Sequence, residues 1–134
     1  LEMRVHRTDG RARARQAPRH LCRVARTEAA GSEGLDGSVG RARLYLQAGA
    51  DAVFPEALTT AEMFKEVAAR LPGVPLLANM TEFGMGELFT VQQLAAVGMN
   101  IVIFTVSLLR LALGAAERGI HTRPADGTLQ SPPP

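Results

Sequence analysis

Four short apolar runs, Leu21 to Ala25, Ala52 to Pro55, Val74 to Ala78 and Ile101 to Val106, recur along the chain, and amphipathic helical patterns fill the spaces between them. This alternation constrains the fold more than any other feature. Strands joined through a helix lie parallel, and helices then cover the sheet, so the class is α/β. Eight such units would make a chain on the order of 200 residues, near the lower end for a (β/α)8 barrel. Four units leave two architectures open, half of such a barrel or a doubly wound sheet. The second normally carries a Gly-rich phosphate turn after a strand, and no G-x-G-x-x-G or Walker-type loop follows any run here.

The helices announce their ends. Thr59 with Glu62 reads as a capping box, and Met63, Phe64, Val67, Ala68 and Leu71 make one apolar face before Pro72-Gly73 stops it. Thr90 with Gln93 repeats the box, with Leu94 and Val97 as the apolar positions and Gly98 as the stop. Val39, Ala42 and Leu46 share a face ahead of Gly49, and Ser107 is placed to cap a last helix running through Arg110 and Leu113 to Gly119.

Composition removes several function classes. With no Trp, one Tyr and five Phe, the chain has few platforms on which bases could stack, so specific nucleic-acid reading is not expected. One cysteine, Cys22, excludes an internal disulfide and fits a reducing compartment; with no general base nearby in sequence it reads as inert. His6, His20 and His121 lack partners at metal-ligand spacing. The longest apolar stretch, Met99 to Ala116, contains Arg110, against the roughly 18 to 20 apolar residues a membrane helix needs, so no membrane span is expected. No signal peptide is visible, and the cytoplasm is the expected location, or the mitochondrial matrix if the source is eukaryotic. Eight of the 15 basic residues fall within residues 1 to 26. Residues 1–20 show neither periodicity and read as an Arg-rich segment, disordered or non-native, whose contacts with nucleic acid or lipid would be nonspecific.

Chemistry concentrates where the runs end: Arg26-Thr27-Glu28 after the first, Glu56 after the second, Asn79-Met80-Thr81-Glu82 after the third. The carboxyl ends of parallel strands open into a common crevice, so these groups can converge on a small polyanion. Arg26 suits a carboxylate, held by two parallel hydrogen bonds. Glu56, aimed by Pro55, can accept from a substrate hydroxyl or orient metal-bound water, while Asn79 and Thr81 offer neutral donors. The same residues could equally form an Arg26–Glu56 ion pair and satisfy turn amides. Arg110 could reach the crevice or snorkel to solvent.

The segments Val24-Ala-Arg-Thr-Glu28, Ala48-Gly-Ala-Asp-Ala-Val-Phe-Pro-Glu-Ala57, Leu77-Ala-Asn-Met-Thr-Glu-Phe-Gly84 and Ile101 to Ala116 resemble, in order and spacing, the 2-methylisocitrate lyases of the isocitrate lyase and phosphoenolpyruvate mutase superfamily. The resemblance implies the second half of a (β/α)8 TIM barrel, about four βα units. It implies a magnesium-dependent, homotetrameric carbon–carbon lyase that cleaves 2-methylisocitrate to pyruvate and succinate in propionate catabolism. Arg26 would bind a carboxylate of a di- or tricarboxylate substrate, and Glu56 would contact substrate and the metal's water shell. Asn79, Met80 and Thr81 would hold the succinyl part, and Arg110 would add an anion contact. The resemblance equally admits a relative acting on another 2-hydroxy or 2-oxo acid, or a half barrel that works by assembly.

The chain also departs from that family. Its acidic metal-binding motif, Ser-Gly-Gly loop and Lys-x-Cys-Gly-His loop are absent, so no catalytic residue and no direct metal ligand is assigned here, and the chain alone is expected to be inactive. Arg23 stands where an apolar strand residue is expected, and Thr105 where the family usually has Pro. The expected division is residues 1–20 as the Arg-rich segment, 21–128 as the half-barrel domain and 129–134 as a Pro-rich tail.

Overall fold

A computed structural model describes the backbone of residues 21–126 and the side chains of residues 21–121. The elements alternate as expected: β1 (Val24–Thr27), α1 (Ala29–Gln47), β2 (Ala52–Pro55), α2 (Ala61–Arg70), β3 (Leu77–Asn79), α3 (Val91–Ala96), β4 (Ile101–Ile103) and α4 (Ser107–Asp126). All strand pairs are parallel. The Arg-rich segment and the Pro-rich tail lie outside the described residues.

β1 pairs with β2 in the register Val24↔Ala52 to Thr27↔Pro55, and β3 pairs with β4 from Leu77↔Ile101 to Asn79↔Ile103. The two ladders meet through a single bridge, Val53↔Leu76, carried by the Val53 amide donating to the Pro75 carbonyl at 3.0 Å. Proline explains why the seam is so thin. Pro55 and Pro75 have no N–H to give, so the pairing cannot continue on either side of the bridge at those residues.

Alternation along the strands sorts the side chains. Val53, Leu76, Ala78 and Met80 are buried with Val39 and Ala42 of α1, Phe64 and Val67 of α2, and Leu94 of α3, and together they form the core between sheet and helices. Val53 and Leu94 are completely buried. The residues between them in the strands, Arg26, Phe54 and Asn79, fall on the opposite face. Large apolar residues of α4, Leu108, Leu109, Leu111, Leu113 and Ile120, remain exposed.

Several elements differ from the sequence expectation: β3 starts at Leu77 rather than Val74, β4 ends at Ile103 rather than Val106, and four further elements shift. The first strand is displaced toward the carboxyl side, so Arg26 and Thr27 lie in it and Leu21 to Arg23 do not. Arg23 is therefore not an intruder in a strand: its amide and its guanidinium both grip the Asp51 carboxylate, at 2.8 and 3.1 Å, and tie the entry of β1 to that of β2. These bonds hold the Asp51 carboxyl below its ordinary range. The helix read from Val39 starts ten residues earlier, at Ala29, because Gly34 (φ 71°) makes a kink that only glycine adopts without strain and two helical pieces join across it. The cap of α2 is Thr60, whose hydroxyl accepts from the Met63 amide, whereas Thr59 turns its hydroxyl to the Met63 sulfur. The Thr90–Gln93 capping box is formed as expected. Ser107 does not cap α4; it is the first residue of that helix, and its buried Oγ has no hydrogen-bond partner.

Candidate active site

The carboxyl ends of β2 and β3 open onto a cavity of about 570 Å³, with Glu56, Asn79, Met80 and Thr81 in its wall and the loop after β3 across one side. Each residue is set there by the strand it ends. The Glu56 amide donates to the Thr27 carbonyl at 2.9 Å, extending the β1–β2 ladder by one bond, and the Met80 amide donates to the Ile103 carbonyl at 2.8 Å, doing the same for β3–β4. The site residues are thus fixed by backbone hydrogen bonds rather than carried on free loops.

Backbone strain collects at the same end. Among the described residues, Ala57, Phe83 and Val106 are the non-glycine positions with positive φ, at 65°, 61° and 61°. Each lies in the connection that follows β2, β3 or β4. Such conformations cost about 1–3 kcal/mol apiece and cluster where function demands them.

Glu56 is only partly exposed, and its Oε2 is buried without a hydrogen-bond partner. The closest cation is Arg26, whose Nη2 stands 3.8 Å away, too far for a hydrogen bond. Arg26 itself donates to Glu28 at 2.5 Å and lies over the Phe54 ring, 5.2 Å from its centroid. The Arg26 side chain is 55% exposed, so the pair is not a buried salt bridge, and Arg26 stands beside Glu56 without lining the cavity itself. Thr27 serves the fold instead: its buried Oγ1 accepts from the Ala29 amide at 3.2 Å and starts α1.

Asn79 and Thr81 do not satisfy turn amides with their side chains. Both engage Thr105, which donates to Asn79 Oδ1 at 2.9 Å and lies 2.7 Å from Thr81 Oγ1. Met80 turns its sulfur to the Phe89 amide at 3.4 Å, a weak contact that helps seat the loop, and most of the residue is buried in the core. Arg110 does not line this cavity. It donates to the Glu82 carbonyl and stacks over Phe83, with its guanidinium carbon 5.0 Å from the ring centroid, so it braces the loop that borders the cavity. That loop otherwise projects, with Phe83 and Met85 each more than nine-tenths exposed.

Cys22 is exposed and lies apart from these groups. The carboxylates on the cavity are Glu56 and Glu87, and among the described residues no group of three His, Cys, Asp or Glu is placed to hold a metal ion. These residues do not form a metal site by themselves. No helix of the described residues is long and apolar enough to cross a membrane.

The family model described as phosphoenolpyruvate phosphomutase matches residues 3–122. The chain belongs to the phosphoenolpyruvate phosphomutase family. The match begins well ahead of residue 21, where the motif resemblance starts, and so takes in most of the Arg-rich segment. The chain is 50% identical over 105 residues to the 2-methylisocitrate lyase of Aeropyrum pernix, covering 78% of this chain and 34% of that protein. It is 47% identical over 104 residues to the 2-methylisocitrate lyase of Bacillus subtilis, covering 78% of this chain and 34% of that one. The chain thus spans about a third of the length of these curated relatives. Among solved structures of the family, 2,3-dimethylmalate lyase superposes with a TM-score of 0.78 at 32% identity, over 83% of this chain and 39% of that one. Oxaloacetate acetylhydrolase superposes with a TM-score of 0.76 at 31% identity, over 81% and 38%. The four βα units with their open sheet are therefore a partial TIM barrel, as the sequence implied.

The residue that sequence reading left out of the site is Thr105. The apolar run Ile101 to Val106 hides it, although β4 ends at Ile103 and Thr105 stands just beyond it, at the same end of its strand as Glu56 and Asn79 do of theirs. A hydroxyl at that place was the available signal.

Proposed function

We propose that the protein carrying this chain is a carbon–carbon lyase that cleaves 2-methylisocitrate to pyruvate and succinate, a step of propionate catabolism. The observation that carries this reading is the placement of Arg26, Glu56, Asn79 and Thr81 at the carboxyl ends of three adjacent parallel strands, in a chain about half identical to 2-methylisocitrate lyases. Arg26 presents a guanidinium to a substrate carboxylate. Glu56, with one oxygen unpaired, contacts the substrate across the cavity, and Asn79 and Thr81 take its other end.

Cleavage of this kind removes the hydroxyl proton as the bond between the hydroxyl-bearing and neighbouring carbons breaks, and the electron pair left on the succinate carbon must be protonated. The described residues supply binding and orientation for that reaction. The reading includes magnesium as cofactor, homotetrameric assembly and a cytoplasmic location; the described residues do not supply the metal's ligands.

The test is product release by the protein that carries this chain, with Mg²⁺ present, from 2-methylisocitrate, 2,3-dimethylmalate and oxaloacetate in parallel. Pyruvate release from 2-methylisocitrate at least tenfold faster than turnover of the other two supports the reading. Preference for either of the others overturns the substrate assignment and leaves a family relative acting on another acid. The 134-residue chain alone is expected to bind dicarboxylates without turning them over.

A further inference from the structure

We propose that Glu28 is a built-in competitor for the ligand carboxylate: it holds the Arg26 guanidinium outside the cavity, and an entering ligand takes the guanidinium from it. The inference rests on the reading of Arg26 as a carboxylate-binding residue. Arg26 does not line the cavity, although Glu56, 3.8 Å from its Nη2, does. The contact that keeps it back is the 2.5 Å bond from Nη2 to Glu28 Oε1. Arg26 and Glu28 flank the buried Thr27, and side chains two apart along an extended chain leave it on the same side. Glu28 stands just ahead of α1, yet its carboxylate makes no capping bond to that helix, so it is given to Arg26 instead.

The hold is weak enough to be exchanged. The Arg26 and Glu28 side chains are 55% and 69% exposed, and an ion pair made in water adds a factor of only about 1.5 to 5. Glu28 engages one nitrogen of the guanidinium with one oxygen, whereas a ligand carboxylate can take two parallel bonds. The exchange therefore gains a bond for a carboxylate and none for a single-point anion. Phe54 supplies the surface on which it happens, since the guanidinium lies over its ring, 5.2 Å from the centroid, and a planar group can turn there without leaving the ring. Turning toward Glu56 carries the guanidinium to the cavity wall. While Glu28 holds Arg26, Glu56 Oε2 is left without a hydrogen-bond partner.

The experiment titrates the full 134-residue chain with succinate by calorimetry in four forms: unaltered, Glu28→Gln, Arg26→Gln and the double variant. Glu28→Gln removes the competing charge and keeps the shape of the side chain, and it is expected to bind succinate about threefold more tightly, within the factor an exposed pair is worth. In the Arg26→Gln background the same substitution is expected to change nothing, because no guanidinium is left to release. Simple repulsion between Glu28 and the anion would act alike in both backgrounds, so an equal gain in the two overturns the proposal, and so does no gain in either. A direct readout is the ¹³C resonance of the Glu28 carboxyl, which is expected to move on saturation with succinate in the unaltered chain and to stay in place in Arg26→Gln; a resonance that does not move in the unaltered chain overturns the proposal. The reading of Arg26 fails by a different result. If the unaltered chain and Arg26→Gln bind succinate equally, or neither binds it, Arg26 is not a carboxylate site and the proposal falls with that reading.

Discussion

Gly98 links α3 to β4 with φ of 96°, and a Cβ built on it would stand 2.7 Å from the Cβ of Ala68 in α2. Gly98→Ala therefore carries two separable penalties. The backbone term is about 1–2 kcal/mol, the cost of holding an L-residue at positive φ. The contact term arises because carbons pack at about 3.5–4.0 Å, and forcing extra carbon into a filled site costs about 1–3 kcal/mol. Together they predict a loss of about 2–5 kcal/mol, a large share of the roughly 5–15 kcal/mol that holds a domain together. Urea denaturation followed by circular dichroism measures the loss, and Ala68→Gly apportions it. In the double variant the contact term should be recovered as a coupling energy of about 1–3 kcal/mol, while the backbone term remains. A loss under about 1 kcal/mol for Gly98→Ala, or a coupling energy near zero, would refute the claim that α2 and the α3–β4 turn are packed to contact here.

Two further outcomes test the ion pairs. Because Asp51 has a depressed carboxyl pKa in the folded chain, its contribution is present above the ordinary carboxylate range and is lost as pH falls through the folded value; thermal unfolding between pH 6 and 2 should show a steeper acid limb for the unaltered chain than for Asp51→Asn. Arg26→Lys removes the fork that would clamp a carboxylate, and dicarboxylate affinity should fall about tenfold in calorimetric titration with little change in stability, since the side chain is more than half exposed; unchanged affinity would remove Arg26 from the site.

Much of this arrangement is legible in the residues themselves. Apolar runs and caps give the order of strands and helices, because burial and capping act locally, and the Thr90–Gln93 box and Ala52–Pro55 lie where the pattern puts them. What the sequence conceals are choices between near-equal options. Thr59 and Thr60 are equally able caps in sequence, and in the fold Thr60 takes the Met63 amide while Thr59 turns to the Met63 sulfur. Gly31, Gly34, Gly37 and Gly40 hide the first turns of α1, since glycine argues against a helix that tertiary contacts nonetheless form. The strand-end groups Glu56, Asn79 and Thr81 do converge on one cavity, but Arg110 is drawn away by a loop carbonyl and an aromatic ring 28 and 27 residues earlier in the chain, partners that no periodicity reveals.

The single bridge between β2 and β3 gives the molecule a spine like that of a book. Arg26 and Glu56 are printed on one page, Asn79, Thr81 and Thr105 on the other, and the prolines keep the binding narrow. Backbone ladders hold each page together, and the one bridge with the shared core behind it holds the two pages to each other. Opening by a few degrees would part the guanidinium from the amide and leave the contacts on either page intact. A ligand that reaches from Arg26 to Asn79 would clasp the two together, and its grip would be felt first at the Val53 amide, whose hydrogen bond is the stitch along that spine.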